Sequence, residues 1–274
     1  MRDMNNSCDA ERFQNGAGKY AAYLETPEGR LRLDLAVANL REVLPQATGS
    51  LRALDIGCGT GALGVRLAQL GFCVTLLDSS QAMLDLAERA AREAGLAQNI
   101  RLKHGDASQL ANSFEPGSFD VILCHNVLEF VDDPPAVLRA AARLLRDSSS
   151  VISVLVRNQP GEILKAALIN GDLAAAAKNL TAEWGDESLY GGKVRLFTAA
   201  SLRSMMTTSS LAVVAECGVR VISDYLPPKI SRKDDYERIL ELDRILGKRP
   251  EFAAVARYTQ CLAHPRTAGL KKTS

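Results

Sequence analysis

The stretch Leu54-Asp55-Ile56-Gly57-Cys58-Gly59-Thr60-Gly61 decides the fold of this chain. It ends a short apolar run that starts at Leu51, and three alternating glycines follow that run directly. Residues 62–70 then take up a helical periodicity, so the segment predicts a strand, a tight turn and a helix. Glycine lets the backbone turn sharply and approach a ligand, because a Cβ there would occupy the ligand's space. The turn is therefore predicted to hold a small molecule.

A second strand and helix follow the first pair. The apolar run Phe72 to Leu77 closes on Asp78, and Ser79 or Ser80 caps a helix that runs from Gln81 toward Ala94. Asp78 lies seventeen residues beyond Gly61, where a carboxylate can accept hydrogen bonds from both hydroxyls of a ribose. The second unit thus supplies a sugar-binding acid.

Two acidic side chains indicate which kind of nucleotide such a turn can bind. Asp55 stands two residues before the first glycine, where it can bind an ammonium group or its water, whereas a pyrophosphate would gain nothing from that charge. An ammonium group at one end and a ribose at the other fit S-adenosyl-L-methionine better than a nicotinamide cofactor. The spacing Gly59-x-Gly61-x-x-Gly64 also matches the dinucleotide fingerprint, so an NAD-type oxidoreductase stays open as an alternative.

Strands and helices alternate along most of the chain, which predicts an α/β fold: a doubly wound, mostly parallel seven-stranded sheet with helices on both faces. A helix from Arg30 to Leu44 follows the start signal Thr26-Pro27-Glu28-Gly29 and is predicted to be an N-terminal lid. The remaining predicted strands are 99–103, 119–123, 151–156 and an antiparallel pair 211–223 and 255–263; the remaining helices are 135–146, 161–169, 172–180, 198–206 and 232–246, with a polar loop at 183–192.

The predicted organisation has five segments. They are lid helices over residues 1–48, a cofactor-binding α/β core over 49–156, a helical and loop insert over the active site at 157–197, a C-terminal completion of the sheet at 198–265, and a flexible tail at 266–274.

Composition excludes several classes of protein. The 274 residues have a formal charge of +1, with 47% apolar and 24% charged residues, which excludes a disordered, collagenous or disulfide-stapled chain. No run of about 18 apolar residues predicts a membrane span. The start MRDMNNSCDAERF lacks a signal-like apolar core, and the six cysteines are expected to be reduced and mostly buried, which predicts a cytoplasmic protein. Cysteines and histidines lack metal-ligand spacing, so no metal is expected.

The pattern Asp55-x-Gly57-x-Gly59-x-Gly61, followed by an acidic end of the second strand, resembles class I S-adenosylmethionine-dependent methyltransferases. This resemblance implies a Rossmann-like methyltransferase fold, in which the glycine loop passes the methionine moiety and Asp78 holds the ribose. In that family an acidic residue after the third strand meets the adenine amino group, and Gly105-Asp106-Ala107 matches that position.

A narrower resemblance follows from the fourth strand. The phrase His125-x-Val127-Leu128-Glu129-x-Val131 is similar to the bacterial tRNA 5-carboxymethoxyuridine methyltransferase group, as are the segments 29–32, 218–226 and 235–242. By that likeness Arg32 pairs with the methionine carboxylate. The cofactor-binding residues expected from both resemblances are Arg32, Asp55, Gly57, Cys58, Gly59, Gly61, Asp78, Ser79, Met83, Asp106, Ala107 and His125.

The acceptor of the methyl group is left open by the sequence. Residues 157–197 hold five basic and five acidic side chains, which offers little attraction to an RNA backbone. The first hypothesis is therefore a methyltransferase for a small organic acceptor, and the second is methyl esterification of a modified tRNA uridine, with tRNA as the partner. A cofactor-binding protein without catalysis is a further alternative. The candidate catalytic residues are His125, Glu129 and Tyr190, and a monomer or homodimer is expected.

Overall fold

The structure, a computed structural model, describes residues 3–45, 51–187 and 189–266, with side chains from residue 11 onward. The predicted flexible tail lies almost wholly outside the described residues, as does the side chain of Cys8. The described strands are β1 Arg52–Ile56, β2 Cys73–Asp78, β3 Ile100–His104, β4 Val121–His125, β5 Val151–Arg157, β6 Trp184–Asp186, β7 Lys193–Arg195, β8 Leu211–Val219 and β9 Tyr258–Pro265.

Helices flank these strands and alternate with them along the first two thirds of the chain. None of the described helices is long and apolar enough to cross a membrane. The described α-helices are α1 Asp3–Leu24, α2 Pro27–Arg41, α3 Ala62–Gln69, α4 Gln81–Glu93, α5 Leu110–Ser113, α6 Pro134–Leu144, α7 Gln159–Leu164, α8 Leu173–Asn179, α9 Ala199–Thr208, α10 Tyr236–Gly247 and α11 Pro250–Ala253.

Seven strands form one sheet in the order β3-β2-β1-β4-β5-β9-β8. The first five are parallel to their neighbours, while β9 runs antiparallel to both β5 and β8. The predicted doubly wound, mostly parallel seven-stranded sheet is therefore confirmed, including its closing antiparallel pair. Strand order reverses between β1 and β4, so the carboxyl ends of these strands open a crevice where ligands of such sheets bind.

The middle of the sheet forms the core because helices cover both of its faces. Every residue of β4 except His125 is buried, and the first six residues of β5 are buried as well. Such strands read as continuous apolar runs in the sequence, which is why they were predictable. The core fixes β1, β4 and β5 rigidly under the site.

The N-terminal region differs from the prediction in the part that covers the site. The predicted helix over 30–44 is present as α2, but it packs into the core, with Leu31 and Leu35 fully buried. The cover is α1 instead. Gln14 Oε1 accepts hydrogen bonds from the Ala82 amide at 3.0 Å and from the Ser80 hydroxyl at 3.1 Å, so α1 is held over the start of α4.

The insert and the C-terminal region also differ locally from the sequence prediction. The predicted polar loop over 183–192 contains the strand β6, which pairs antiparallel with β7 directly after the loop. The predicted helix over 161–169 begins as α7 and ends in a π-helical turn over Lys165–Ile169. The helix predicted from Arg232 starts four residues later as α10. Among the described cysteines none forms a disulfide, and four are buried, whereas Cys73 is exposed.

Candidate active site

The glycine turn after β1 adopts the backbone that its sequence requires. Gly57, Gly59 and Gly61 have φ angles of 62°, 54° and 75°, in the left-handed region that favours glycine. Gly57 and Gly59 line a cavity of about 750 Å³ at the carboxyl ends of the strands, within the usual size of small-molecule sites. Gly61 is not among the residues that line this cavity. A Cβ at Gly61 would lie 2.8 Å from Ala87 and 3.0 Å from Leu76, so the missing side chain makes room for these two residues. The predicted role of Gly61 in cofactor contact thus becomes one of packing.

Asp78 ties the turn to the end of β2. Its Oδ2 accepts from the Gly59 amide at 2.8 Å, and its Oδ1 accepts from the Ser80 amide at 2.9 Å. Burial raises the pKa of Asp78, and these two amides oppose the shift. Each carboxylate oxygen keeps a second lone pair for a further donor. Since Asp78 also lines the cavity beside Ser79 and Met83, it has the position that a ribose-binding acid needs.

The end of β3 forms the next wall of the cavity. Asp106 Oδ1 accepts from the Ser108 amide at 2.7 Å and so starts a short 3₁₀ helix over Ala107–Gln109. Asp106, Ala107 and Ser108 all line the cavity. The structure therefore brings together the predicted glycine, ribose and adenine positions along one edge of the sheet.

Arg32 is the buried cation of this half of the cavity. Its side chain donates to Asn126 Oδ1 at 2.9 Å and to the Tyr20 hydroxyl at 2.7 Å, and the residue is 8% exposed. Within residues 3–45, 51–187 and 189–266 it forms no ion pair with a carboxylate. Burying a guanidinium without a counterion costs desolvation free energy, so an anion bound beside Arg32 would stabilise it. The methionine carboxylate of the predicted cofactor has the charge that this site needs, so the pairing stays a prediction.

A second, small cavity lies behind the glycine turn. Its volume is about 30 Å³, and Arg32, Asp55, Cys58 and His125 are among its lining residues. Asp55 Oδ2 is buried without a hydrogen-bond partner, and burial, with a further contribution from Asp78, raises the pKa of Asp55 to about 8. This unsatisfied oxygen fits the predicted role of Asp55, which is to bind the cofactor ammonium or its water.

His125 does not line the main cavity. Its Nε2 lies 2.7 Å from the Ser153 hydroxyl, which also accepts from Gln260 Nε2 at 3.0 Å. Burial, and then the Arg32 guanidinium, lower the pKa of His125 to about 3. A neutral imidazole with so low a pKa is a poor general base at neutral pH. The structure therefore places His125 behind the site as part of the polar packing beneath α2.

Glu129 braces the end of β4 against the end of β5. Its Oε1 accepts from Asn126 Nδ2 at 2.9 Å and from the Arg157 amide at 2.8 Å, while Oε2 is buried without a partner. Asn126 adopts a φ angle of 55°, uncommon for a residue other than glycine, which aims its amide at both Arg32 and Glu129. These contacts join the predicted cofactor end of the cavity to its other end.

Aromatic side chains cover the cavity. Phe13 of α1 packs edge-on against Tyr190 at a centroid distance of 5.1 Å and against Phe130 at 5.0 Å. Tyr20 lies over Gly59, since a Cβ built on that glycine would be 2.9 Å from its ring. Tyr190 is thus one member of an aromatic lid that excludes water from the cavity.

The far end of the cavity is lined by charged side chains. Arg220 donates to the Tyr23 hydroxyl at 2.8 Å and pairs with Asp224, and Arg257 Nε lies 3.0 Å from the other oxygen of Asp224. Arg157 pairs with Glu187 at 2.6 Å. This end has the donors expected of an anion-binding site.

Several of these residues were not found by sequence reasoning. Asn126 carries no local signal, because its role depends on its backbone angle. Arg220, Arg257 and Tyr258 meet at the cavity only because β8 and β9 close the sheet. Phe13 and Tyr20 did give a signal, since a spacing of seven puts both on one helix face.

Comparison with known proteins agrees with this geometry. Residues 47–242 match the family model described as a methyltransferase domain. The chain is 29% and 30% identical to the tRNA 5-carboxymethoxyuridine methyltransferases of Escherichia coli K12 and O157:H7, over 96% of this chain and 97% of each relative. It is 38% identical to the ubiquinone biosynthesis O-methyltransferase of Methylococcus capsulatus, over 49% of this chain and 56% of that one.

The fold has solved counterparts. A SAM-dependent methyltransferase from Thermotoga maritima superposes with a TM-score of 0.62 at 16% identity, covering 93% of this chain and 99% of the other. At 16% sequence identity the similarity shows only that the fold is shared. The glycine turn, the unpaired Arg32 and the family match together show that this chain belongs to the S-adenosylmethionine-dependent methyltransferases and uses S-adenosyl-L-methionine as its cofactor.

Proposed function

We propose that this methyltransferase esterifies a carboxylate, and that the carboxylate is carried by a modified uridine of tRNA. The observation that carries the proposal is the guanidinium lining of the cavity. Arg32 comes from α2, Arg157 from the end of β5, and Arg220 and Arg257 flank β8 and β9. With Arg32 assigned to the cofactor carboxylate, four guanidinium groups remain in the lining, those of Arg157, Arg220, Arg232 and Arg257, and we place the acceptor beside them. Each of the four also forms an ion pair with an acidic side chain.

A carboxylate acceptor also fits the absence of histidine from the described lining of the cavity, where Glu129 is the candidate base that remains. None of the three histidines is among the residues that line the cavity in the described part of the chain. A carboxylate is already a nucleophile at neutral pH, so it needs no proton removed, whereas a phenol or an amine does. The cofactor supplies an electrophilic methyl group on sulfur. The protein then has to align the acceptor and exclude water, which the aromatic lid does.

The comparisons support tRNA as the bearer of that carboxylate. The tRNA 5-carboxymethoxyuridine methyltransferases of Escherichia coli match over 96% of this chain. The ubiquinone O-methyltransferase from Methylococcus capsulatus matches over 49%. Likeness that extends beyond the cofactor-binding half favours a shared acceptor. With tRNA as the acceptor, the expected compartment is the cytoplasm, as the sequence predicts.

A free small carboxylate is the second candidate acceptor. Residues 157–197, which cover the cavity, have no net charge, so they offer little attraction to phosphates. Both acceptors place a carboxylate against the same arginines and differ only in what surrounds it.

The test is methyl transfer from the cofactor to tRNA that carries 5-carboxymethoxyuridine, followed by mass analysis of the digested nucleosides. The expected result is a gain of one methylene in mass on that nucleoside alone. The control substrate is the same tRNA with unmodified uridine. Filter binding of tRNA at two salt concentrations then separates the candidates, because contacts with phosphates weaken steeply as salt rises. Transfer to free carboxylates but not to the tRNA would favour the second candidate.

A further inference from the structure

Tyr258 lines the cavity between Arg32, at the predicted cofactor end, and Arg220, at the far end, where we place the acceptor. It is the first residue of β9, and its register partners are Arg157 of β5 and Val219 of β8. The side chain therefore stands between the arginines that end β5 and follow β8. Tyr258 is only 6% exposed, yet it lines the cavity.

The Tyr258 hydroxyl has no hydrogen-bond partner within the described residues. The neighbouring phenols differ in this respect. The hydroxyl of Tyr20 accepts from Arg32, and that of Tyr23 accepts from Arg220. The Tyr258 oxygen is not among the fully buried side-chain atoms that lack a partner, so it is accessible from the cavity that Tyr258 lines. Because this hydroxyl faces a cavity, a ligand is the partner that can reach it.

The charges around Tyr258 define the chemistry of that partner. The guanidinium carbons of Arg32 and Arg220 lie 5.7 Å and 5.9 Å from the ring centroid. Burial by itself raises the pKa of Tyr258, but Arg32, Arg220, Arg157 and Arg257 outweigh it and lower the pKa below the ordinary tyrosine value. Asp224, Glu162 and Glu187 pair with Arg157, Arg220 and Arg257, so the net positive charge beside Tyr258 comes from Arg32, which has no acidic partner within the described residues. The hydroxyl thus lies in a positive potential.

We propose that the Tyr258 hydroxyl donates a hydrogen bond to the acceptor carboxylate and thereby selects an anionic acceptor. The proposal rests on the esterification proposed above and adds the residue that recognises the carboxylate. A positive potential favours an anion, and a phenol oxygen that keeps its proton offers it a short, charge-assisted hydrogen bond. A neutral hydroxyl or amine gains much less at the same position.

This hydrogen bond would also position the acceptor carboxylate for the reaction. Tyr258 holds the carboxylate oxygen that is not methylated, which leaves the other oxygen directed at the methyl group. The bond from methyl carbon to sulfur breaks with its electron pair left on sulfur, and the bond from carboxylate oxygen to methyl carbon forms. No proton moves in this step, so Tyr258 keeps its own proton throughout.

The role of Tyr258 predicts a pH dependence. When pH rises through its pKa, the phenol becomes a phenolate that repels the carboxylate and has no proton to donate. The charged and titratable groups that face it are the four arginines, the Tyr23 phenol, whose pKa burial raises to about 12, and the acids paired with the arginines, which are Asp224, Glu162 and Glu187. The arginines keep their charge over the accessible range. An alkaline limb in kcat/KM, below the usual range of tyrosine, is therefore expected.

The experiment compares Tyr258→Phe with the wild-type protein, using tRNA that carries 5-carboxymethoxyuridine as the acceptor. The substitution keeps the ring against Arg32 and removes only the hydroxyl. We expect kcat/KM for the acceptor to fall about 10- to 100-fold, as for one lost charge-assisted hydrogen bond. The affinity for S-adenosylhomocysteine and the melting temperature are expected to stay close to wild type, and the alkaline limb is expected to disappear.

The matched control is Tyr236→Phe. Its hydroxyl bonds to Asp34 outside the cavity, so kcat/KM for the acceptor should not change. A Tyr258→Phe variant with wild-type kcat/KM and an unchanged alkaline limb would overturn the proposal and leave esterification intact. If Tyr258→Phe folds poorly, the wild-type pH profile decides alone, and a profile without an alkaline limb below the usual range of tyrosine overturns the assignment. Failure of the wild-type protein to methylate the acceptor overturns the proposed function itself.

Discussion

Replacing Arg32 by lysine tests how the cofactor carboxylate is held. The guanidinium has five N–H donors, and Asn126 and Tyr20 occupy two of them. The remaining donors can form a fork with a carboxylate, whereas a lysine ammonium keeps the charge but not the fork. Loss of one charge-assisted hydrogen bond costs about 1.5–3 kcal/mol, so Arg32→Lys should weaken S-adenosylhomocysteine binding about 10- to 150-fold.

The assay is isothermal titration of the wild-type and variant proteins with two ligands. S-adenosylhomocysteine contains the carboxylate, and methylthioadenosine lacks it. If Arg32 acts on the carboxylate, Arg32→Lys weakens only the first ligand, and the difference between the two losses gives the coupling energy. Arg30→Lys is the control, because Arg30 lies on the same helix but stacks over Tyr236 outside the cavity. Equal weakening of both ligands would refute the assignment and indicate that Arg32 acts through the packing of Tyr20 and Asn126.

Three further variants test other parts of the site. Asp78→Asn should weaken S-adenosylhomocysteine about 10- to 150-fold in calorimetry, because the ribose hydroxyls lose a charged acceptor; an unchanged affinity would remove Asp78 from the site. Gly59→Val should abolish that binding, since φ is 54° and the new Cβ lies 2.9 Å from the Tyr20 ring, while circular dichroism stays close to wild type; tight binding by this variant would contradict the turn geometry. Burial raises the pKa of Asp55 from 3.8 to about 8, so its contribution to stability is fully present below about pH 4 and is lost as pH rises from there to 8. Asp55→Asn should therefore flatten the denaturant-midpoint profile between about pH 4 and pH 8, and an unchanged slope would show that Asp55 is not buried as described.

The sequence predicted the parts of the fold that depend on local pattern. Buried parallel strands are continuous apolar runs, and the glycines at 57, 59 and 61 mark the turn between the first strand and its helix. The positions of Asp78 and Asp106 followed from where their strands end. These features need only short stretches of chain and the known geometry of parallel sheets.

Features that depend on long-range packing were not predictable in the same way. The periodicity of α2 predicted that its leucines face the sheet, as they do, but it did not reveal that α1 also covers the cavity. His125 is the last residue of β4, two residues beyond the predicted end of that strand, and its ring turns toward Ser153; strand position alone does not fix that direction. Tyr258 and Arg220 reach the cavity through strands added at the far edge of the sheet, more than 60 residues beyond β5 in sequence.

The chemical stability of the transferred methyl group shows whether the enzyme methylates a carboxylate. A methyl group on a carboxylate oxygen forms an ester, which mild alkali hydrolyses with release of volatile methanol, whereas a methyl group on nitrogen, carbon or an ether oxygen stays in place. The measurement uses cofactor with a radiolabelled methyl group and tRNA that carries 5-carboxymethoxyuridine. Esterification of the tRNA carboxylate predicts that the label appears on the tRNA and is released as a volatile product by mild alkali. Label that remains on the tRNA after this treatment would contradict it.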